Sequence, residues 1–323
     1  MRTLIVHNPR SGFGSDAIFQ FQRALVKAGD ECVFRMLAHD FDPKDAVRDA
    51  DGFDVVVVSG GDGTVASVLH ALAHTGVPVC AFPSGTANLY CANLGNTMEP
   101  QALARACRVG ATANLDLGRI SWVDGEGATE KRGFALMSGM GYDAQLMAAA
   151  LPNKKALGEA AYYAAALENP HPKICDFKIT VDGDVHERRG IMCLVANNAM
   201  IQNDISIVAG CRMDDGKLDV IVVEIENAAQ LVRPILHGIF DREGAKTGRP
   251  HIESFSGASI RVEASEPMPV EVDGEVCEGL TTCFEAKADP GAARLIVDPM
   301  SGYGKQEAPE PKFGEVEDTA FPK

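Results

Sequence analysis

The sequence lacks several features that would assign a protein to a class at once. No apolar run in its 323 residues reaches the roughly 18 residues needed to span a bilayer. Residues 1–6 lead directly into a strand-like segment with no signal-peptide cleavage pattern, so we expect a cytoplasmic protein. The nine cysteines include no Cys-x-x-Cys pair, which favours reduced core thiols over a disulfide framework.

The charge balance argues against one large class of partners. The chain has 45 acidic and 30 basic residues, a formal net charge of −15, whereas nucleic-acid binding needs a basic face for phosphate contacts. The same charge weakens electrostatic docking to an anionic lipid surface. With 46% hydrophobic and 23% charged residues, the composition is that of an ordinary globular protein, long enough for two domains.

Residues 1–118 have the pattern of an α/β domain with a mostly parallel sheet. Continuous apolar runs alternate with amphipathic segments, as in sheets that are covered by helices on both faces. The predicted strands are 3–7, 31–36, 55–59 and 77–82, and the predicted helices are 16–27, 44–49, 65–74 and 100–109. Ligands of such sheets bind at the carboxyl ends of the strands.

Beyond residue 118 the pattern changes to β-rich segments joined by tight turns. Val-Asp-Gly occurs at 123–125, 181–183 and 272–274, and Asp-Gly between β-rich segments is a strong hairpin signal. We predict an antiparallel, β-sandwich-like second domain at 119–289, with helical insertions at 143–151, 156–168 and 228–240. The segment at about 290–303 could return to the first domain, and the acidic tail 304–323 is expected to be flexible.

The most informative segment is Ser-Gly-Gly-Asp-Gly-Thr at residues 59–64, between a predicted strand and a predicted helix. A glycine turn at the carboxyl end of a buried strand lets the backbone approach a phosphate closely. Asp62 would repel that phosphate unless a cation lay between them. The segment therefore points to a nucleotide that is bound together with Mg²⁺.

Two more predicted strands end in turns that are rich in glycine and hydroxyl groups. Asn-Pro-Arg-Ser-Gly-Phe-Gly at 8–14 follows the first strand, and Pro-Ser-Gly-Thr-Ala-Asn at 83–88 follows the fourth. The first of these turns lacks the Gly-Lys-[Ser/Thr] ending of a P-loop. Because parallel strands bring their carboxyl ends together, we expect the three turns to converge on one crevice.

These turns resemble the motif series of the diacylglycerol kinase catalytic-domain family, which includes bacterial lipid kinases and the sphingosine and ceramide kinases. The matching motifs are Asn-Pro-x-Ser-Gly at 8–12, Gly-Gly-Asp-Gly-Thr at 60–64, Pro-x-Gly-Thr-x-Asn at 83–88 and Gly-x-Gly-Tyr-Asp-Ala at 139–144. The resemblance covers residues 1 to about 300 in the same order. Gly-Gly-Asp-Gly-Thr alone is shared with the NAD kinases.

The resemblance implies an ATP site and two magnesium sites. Asp62 would organise the catalytic Mg²⁺, and Asp116 could assist it or simply end a strand. Asp215, with the backbone carbonyls of Arg212 and Lys217, would bind a second, structural Mg²⁺. The residues that would hold ATP are Asn8, Pro9, Arg10, Ser11, Gly12, Gly60, Gly61, Asp62, Gly63, Thr64, Gly85, Thr86 and Asn88.

A general base is implied near the carboxyl terminus. Asp273-Gly274-Glu275 matches the family's Asp-Gly-Glu, and the resemblance assigns to Glu275 the removal of the proton from the lipid hydroxyl during phosphoryl transfer. Together with Asp62, Glu275 is thus the implied catalytic residue. The turn pattern alone does not select it, because Glu126 and Asp184 lie in the same kind of turn.

The sequence departs from the family's pattern at three positions. Leu89 stands where many members have an aspartate, so a carboxylate that could assist Mg²⁺ is missing. Ala66 and Ser67 replace a common Asn-Glu pair, which removes another ATP contact. These changes leave open a nucleotide-binding regulatory protein without kinase activity.

We therefore expect an ATP-dependent lipid kinase whose acceptor is diacylglycerol or a related lipid alcohol at the membrane surface. It would be cytoplasmic with transient peripheral membrane association, and a homodimer stays open. The nearest alternative is an NAD kinase, which shares the glycine turn and the two-domain plan. The Pro-x-Gly-Thr-x-Asn turn and the Asp-Gly-Glu sequence favour the lipid kinase.

Overall fold

A computed structural model describes residues 1–11, 16–109, 111–125, 127–142, 172–201, 205–225, 241 and 249–303. The predicted helices at 143–151, 156–168 and 228–240 lie outside these residues, and so does the tail 304–323. Gly12 and Glu126 also lie outside the described part of the chain.

The first part of the chain forms the predicted parallel sheet with helices on both faces. Strands β1, β2, β3 and β4 pair in the order β2-β1-β3-β4, all parallel. The elements are β1 Arg2–His7, α1 Ala17–Lys27, β2 Glu31–Met36, α2 Pro43–Ala46, β3 Val55–Gly60, α3 Asp62–Ala71, β4 Val79–Pro83, α4 Leu89–Asn93 and α5 Pro100–Val109.

Strand β3 is buried along its whole length because successive side chains point to opposite, covered faces of the sheet. Val56 and Val58 pack in one core with Val65 and Leu69 of α3. Val55 and Val57 pack in a second core with α1 and α5 residues. The apolar run that predicted a central strand is thus explained by burial on both sides.

The second part of the chain is antiparallel. One set of strands (β5, β6, β8, β9, β15, β18) extends the first sheet, and a second sheet has the order β14-β13-β10-β7-β16-β17. The strands are β5 Ala111–Val123, β6 Thr129–Phe134, β7 Met137–Gly141, β8 Cys175–Val181, β9 Asp184–Gly190, β10 Met192–Ala196, β11 Met200–Ile201, β12 Ile205–Ser206, β13 Leu218–Val223, β14 Ile252–Gly257, β15 Ser259–Met268, β16 Val270–Val272, β17 Glu275–Val276 and β18 Thr281–Val297.

The two antiparallel layers share one apolar core. Phe177 and Phe284 of the extended sheet pack in the same cluster as Val195 and Val220 of the second sheet. This face-to-face packing is the arrangement of a β-sandwich. The predicted fold class, an α/β domain followed by an antiparallel sandwich-like part, is confirmed.

Each of the three Val-Asp-Gly sequences joins two antiparallel strands, as predicted. In two of them the aspartate and the glycine both have positive φ: 50° and 100° at Asp182 and Gly183, and 47° and 83° at Asp273 and Gly274. Positive φ at both central residues is the signature of a two-residue type I′ hairpin. The third turn, which begins at Asp124, is longer, because the Asp124 N–H donates to the Ala128 carbonyl.

One long strand connects the two parts of the molecule. Strand β18 pairs antiparallel with β5 and β15, and near its end Leu295 pairs parallel with Val79 of β4. The extended sheet therefore runs continuously through both parts. The domain boundaries expected at 118 and 289 both fall inside strands, β5 and β18, and the division into two domains stays a prediction.

Helix α3 begins and ends three residues earlier than the pattern predicted. It starts at Asp62, where a carboxylate in the first turn is stabilised by the helix dipole. It ends at Ala71, and His74 has a φ of 60° that no α-helix contains. The shift places Asp62 on the helix itself rather than in the turn before it.

Candidate active site

The glycine turns after β3 and β4 touch each other. A Cβ atom added to Gly85 would lie 2.6 Å from the Gly61 Cα, and one added to Gly60 would lie 2.5 Å from the Thr64 Cβ. A side chain at Gly85 would separate the two turns, and one at Gly60 would displace Thr64 within the first turn of α3. The backbone therefore lies bare at the amino-terminal end of α3, whose first N–H groups have no partner within the helix. Such an end favours an anion.

The turn after β1 joins the same cluster. The Asn8 side chain donates to the Thr64 hydroxyl at 3.0 Å, and the Ser11 hydroxyl accepts from the Gly61 N–H at 3.1 Å. Arg10 donates its guanidinium to the Ala38 and His39 carbonyls, at 3.3 and 3.0 Å. The predicted convergence of this turn, which also contains Pro9, with the glycine turn of β3 is therefore present.

Asn88 closes the third turn on itself. Its side-chain oxygen accepts from the Gly85 N–H at 2.7 Å, and its amide donates to the Gly85 carbonyl at 3.0 Å. Its φ of 51° is a left-handed conformation that asparagine tolerates well. Asn88 thus shapes the turn that presents Gly85 and Thr86, while its own contact with a nucleotide stays a prediction.

Asp62 connects the second and third turns. Its Oδ1 accepts the backbone N–H of Tyr90 at 2.9 Å, near the start of α4. That helix begins at Leu89, the position where an aspartate was expected from the family pattern. Sequence reasoning missed both α4 and this contact, because a five-residue helix carries too short a pattern to recognise.

Glu275 lies opposite the amino-terminal end of α3. A Cβ atom on Gly63 would lie 3.5 Å from the Glu275 Oε1, although more than 200 residues separate the two in sequence. Glu275 is the first residue of β17, pairs with Val272 of β16 and is exposed. The structure thus brings the implied base to the first turn of α3, which contains Asp62.

Asp273, two residues before Glu275, is held by backbone donors. Its carboxylate accepts the N–H groups of Ala135 (2.8 Å), Leu136 (2.8 Å) and Met137 (3.1 Å). Burial raises the pKa of Asp273 to about 7, and the charge of Asp62 acts in the same direction, while the three N–H donors oppose the rise. The Asp-Gly pattern predicted the turn but not this anchoring.

A cavity of about 730 Å³ opens beside Gly63 and Glu275. Helix α3 contributes Ala66, Ser67 and His70 to one wall, so two of the three departures from the family pattern lie here. The facing walls come from α2, the β5–β6 hairpin and the β16–β17 hairpin with the residue after it; they include Lys44, Trp122, Asp124, Glu130, Lys131, Arg132 and Cys277.

His70 joins α3 to the second part of the molecule. Its Nε2 lies 3.2 Å from the Phe134 carbonyl oxygen, and a Cβ on Gly133 would lie 2.4 Å from the ring. Burial lowers the pKa of His70, although the Phe134 carbonyl acts in the opposite direction. A neutral ring therefore packs on β6 at the wall of the cavity.

Asp116 is engaged by a different pair of turns. Its carboxylate accepts the Gly216 N–H at 2.6 Å and the Gly291 N–H at 2.7 Å, and it is almost fully buried. Burial raises the pKa of Asp116, and the charges of Asp215 and Asp214 add to the rise. Both carboxylate oxygens hold backbone groups, so these contacts do not support the role beside Asp62 that was considered for Asp116.

The segment that was expected to hold a second Mg²⁺ lies next to Asp116. Asp215 accepts the Lys217 N–H at 3.0 Å, and Arg212 forms an ion pair with Asp214 at 2.6 Å. Across the described ranges, no group of three or more histidine, cysteine or acidic side chains converges as a metal cluster. A site of one carboxylate and backbone carbonyls would not form such a cluster, so this metal site stays a prediction.

Comparison with known families defines the class of protein. Residues 2–120 match the model described as "Diacylglycerol kinase catalytic domain". Residues 137–297 match the model described as "YegS C-terminal NAD kinase beta sandwich-like domain". The two matches cover both parts of the fold in sequence order. The chain therefore belongs to the diacylglycerol kinase catalytic-domain family, a family of lipid kinases.

Individual relatives agree with this assignment. The chain is 28% identical over 306 residues to a diacylglycerol kinase of Mycobacterium tuberculosis (strain H37Rv), covering 90% of this chain and 93% of the relative. It is 24% identical over 284 residues to a diacylglycerol kinase of Bacillus subtilis (strain 168), covering 85% and 89%. An uncharacterized protein of Synechocystis is 27% identical over 253 residues, and this chain spans 56% of its length.

A solved structure supports the fold. A putative diacylglycerol kinase from Bacillus anthracis superposes with a TM-score of 0.71, covering 92% of this chain and 97% of that chain at 20% identity. At that identity the likeness concerns the fold alone.

Proposed function

We propose that the protein is an ATP-dependent lipid kinase that transfers the γ-phosphate of ATP to the hydroxyl of diacylglycerol or a related lipid alcohol. The observation that carries the proposal is the position of Glu275, whose Oε1 faces Gly63 at the amino-terminal end of α3. The proposal is supported by a helix end that favours an anion and a carboxylate that can accept a proton, which lie beside each other.

In the proposed mechanism, the backbone of Gly60–Gly63 and Gly85 binds the phosphates of ATP, with Asn8, Ser11 and Thr64 fixing the turn around them. Asp62 would hold Mg²⁺, which neutralises phosphate charge when bound. Glu275 accepts the proton of the lipid hydroxyl as that oxygen attacks the γ-phosphorus, while the bond from the γ-phosphorus to the β-phosphate oxygen breaks and ADP leaves. Closure of the crevice around the cavity would exclude water and favour transfer over hydrolysis.

The lipid acceptor implies that the enzyme works at a membrane surface. In the part of the chain that the structure describes, no helix is long and apolar enough to cross a bilayer. We infer peripheral and transient association with the membrane, with the acceptor entering from the sandwich-like part. A second Mg²⁺ held by Asp215 and the carbonyls of Arg212 and Lys217 belongs to the same proposal.

The first test is an acceptor screen. The purified protein is incubated with γ-labelled ATP, Mg²⁺ and mixed micelles that contain diacylglycerol, monoacylglycerol, ceramide or sphingosine, and in parallel with NAD in solution. We expect label in at least one lipid and none in NAD. Label in NAD would favour the NAD kinase, and ATP binding without transfer to any acceptor would favour the regulatory protein that Leu89, Ala66 and Ser67 keep open.

The second test is Glu275→Gln, which preserves shape and removes the base. Loss of a general base is expected to lower the transfer rate by about 10²- to 10⁴-fold. Asp184→Asn is a matched control, because Asp184 begins β9 opposite Val181 just as Glu275 begins β17 opposite Val272. An unchanged rate for Glu275→Gln would exclude the proposed base.

A further inference from the structure

The hairpin that carries Glu275 is too small to hold its shape alone. Strand β17 has two residues, β16 has three, and β17 lies at the edge of its sheet. Isolated two-stranded hairpins are marginally stable at best. The direction of the Glu275 side chain therefore depends on what fixes the turn between these strands.

The turn is fixed through the side chain of Asp273. Its carboxylate accepts three consecutive backbone N–H groups, those of Ala135, Leu136 and Met137, at 2.8, 2.8 and 3.1 Å. The N–H of Asp273 donates back to the Met137 carbonyl at 2.9 Å. These four bonds tie the turn to the corner between β6 and β7, and β7 lies between β10 and β16 within its sheet.

A second carboxylate holds the other half of the turn. Glu271 of β16 is fully buried, and its Oε2 accepts the Gly274 N–H at 2.9 Å. The Glu271 carbonyl in turn accepts the hydroxyl of Ser138 on β7 at 2.5 Å. Both central residues of the turn are thus bound through side-chain carboxylates, which fixes the backbone from which the Glu275 side chain extends.

We propose that Asp273 is a positioning residue that aims Glu275 at Gly63 across the crevice, with Glu271 supporting the same turn. This inference rests on the proposed function, because it concerns the geometry of the proposed base. Asp273 acts through the backbone of the hairpin and does not touch the reacting atoms.

The test variant is Asp273→Asn. Asparagine accepts the left-handed φ of 47° at this position, so the turn type is preserved. Its amide can accept on one side only, and its NH₂ group would face the N–H of Ala135 or of Leu136 and Met137. The side-chain NH₂ and the backbone N–H that it faces are both donors and repel each other. We therefore expect the hairpin to shift away from β7. A displacement near 1 Å at a catalytic group reduces the rate by on the order of 100-fold.

The chain contains a matched control. Asp182 lies at the same position of the same type of turn, with a φ of 50°, and its carboxylate accepts the N–H groups of Ala258 and Ser259 at 3.0 and 2.8 Å. That hairpin, β8–β9, contributes no residue to the cavity beside Glu275. Asp182→Asn therefore removes a comparable anchor without moving the proposed base.

The kinetic experiment measures kcat and the KM for ATP at pH 8 for the wild type, both single variants, Glu275→Gln, and the double variant Asp273→Asn/Glu275→Gln. We expect Asp273→Asn to lower kcat by on the order of 10- to 100-fold with the KM for ATP nearly unchanged. Asp182→Asn keeps the wild-type kcat. The double variant is expected to be no slower than Glu275→Gln alone, because a positioning residue has no effect once its target is removed.

Additive losses in the double variant, or equal losses in Asp273→Asn and Asp182→Asn, would overturn the inference in favour of a general structural role. Crystal structures of the wild type and Asp273→Asn supply a readout that needs no activity: the Glu275 carboxylate must move away from Gly63 in the variant. If the wild type transfers no phosphate, the proposed function fails while this structural comparison still decides the positioning role. An unmoved Glu275 contradicts it.

Discussion

Gly61 and Gly85 lie in direct backbone contact at the carboxyl ends of β3 and β4. A methyl group on Gly85 would come within 2.6 Å of the Gly61 Cα and 3.1 Å of the Asn88 Oδ1. Neither neighbour can retreat easily, because the Gly61 N–H is bonded to Ser11 and the Asn88 side chain closes its own turn. The close approach of the two turns at this edge of the sheet, with backbone and no side chains between them, depends on that contact.

Gly85→Ala is expected to separate the two turns. Overpacking of this kind lowers the free energy of unfolding by about 1–3 kcal/mol, and it also displaces the N–H groups proposed to bind phosphate. Urea denaturation and ATP binding by calorimetry measure the two effects. Gly52→Ala is the control, since its Cβ would meet Arg2 at an ordinary 3.6 Å and no other residue in the part of the chain that the structure describes. Wild-type stability and ATP affinity in Gly85→Ala would show that the contact is dispensable.

Gly63→Ala is expected to lower the activity of the protein without lowering its stability. Gly63 lies in the first turn of α3, and among the described residues its added Cβ would have one neighbour within 4 Å, the Glu275 Oε1, at 3.5 Å. Alanine is favoured over glycine in a helix by up to about 1 kcal/mol, so the free energy of unfolding should stay the same or rise. The methyl group would occupy the space between the helix end and the proposed base.

For Gly63→Ala we therefore expect a melting temperature at or above that of the wild type together with a lower rate of phosphate transfer. Thermal denaturation and the labelled-ATP assay, run on the same preparation, measure both. A variant that is stable and fully active would mean that the reacting groups do not pass between Gly63 and Glu275.

His70 is expected to make stability depend on pH. Burial lowers its pKa below the ordinary value of 6.5 in the folded protein, so the unfolded chain binds the proton more readily. The contribution of His70 to the free energy of unfolding is fully present above about pH 6.5. It is lost as the pH falls from there through the pKa of His70 in the folded protein. Protonation would also disturb the contact between α3 and β6 at the cavity.

The measurement compares the free energy of unfolding of the wild type and His70→Gln at pH 8, 7, 6 and 5. Between pH 7 and 5 the wild type should lose more stability than the variant, with a difference in slope of at most about 1.4 kcal/mol per pH unit for one proton. Parallel pH profiles would show that His70 titrates equally in the folded and unfolded states.

Much of the fold could be predicted because its signals are local. The apolar run of β3 reflects burial on both faces by α1, α3 and α5, and the Asp-Gly sequences specify hairpins through the positive φ of two adjacent residues. The boundaries of α3 were harder to predict because its first turn consists of Asp62, Gly63 and Thr64, which read equally well as a loop. Helix α4 was missed because five residues are too few to show a period.

The candidate site also has some features that could be predicted from the sequence and others that could not. The three turns on parallel strands were expected to meet, since the geometry of a parallel sheet requires it. The contacts of Asp116 with Gly216 and Gly291 follow no sequence pattern, and neither does the anchoring of Asp273. Each joins segments distant in sequence through backbone N–H groups, which carry no residue-specific signal.

The sequence by itself determined the strands, the hairpins and the glycine turns, because these follow from side-chain size, backbone freedom and hydrophobic period within a few residues. Only the tertiary structure decided which acidic hairpin turn lies next to the glycine turn that follows β3. Asp184 and Glu275 hold equivalent positions in equivalent hairpins, yet it is Glu275 whose carboxylate meets Gly63. The difference lies in the sheet topology: β16 and β17 end the second sheet, where Glu275 meets the first turn of α3, whereas β8 and β9 end the extended sheet. Local chemistry cannot encode that placement.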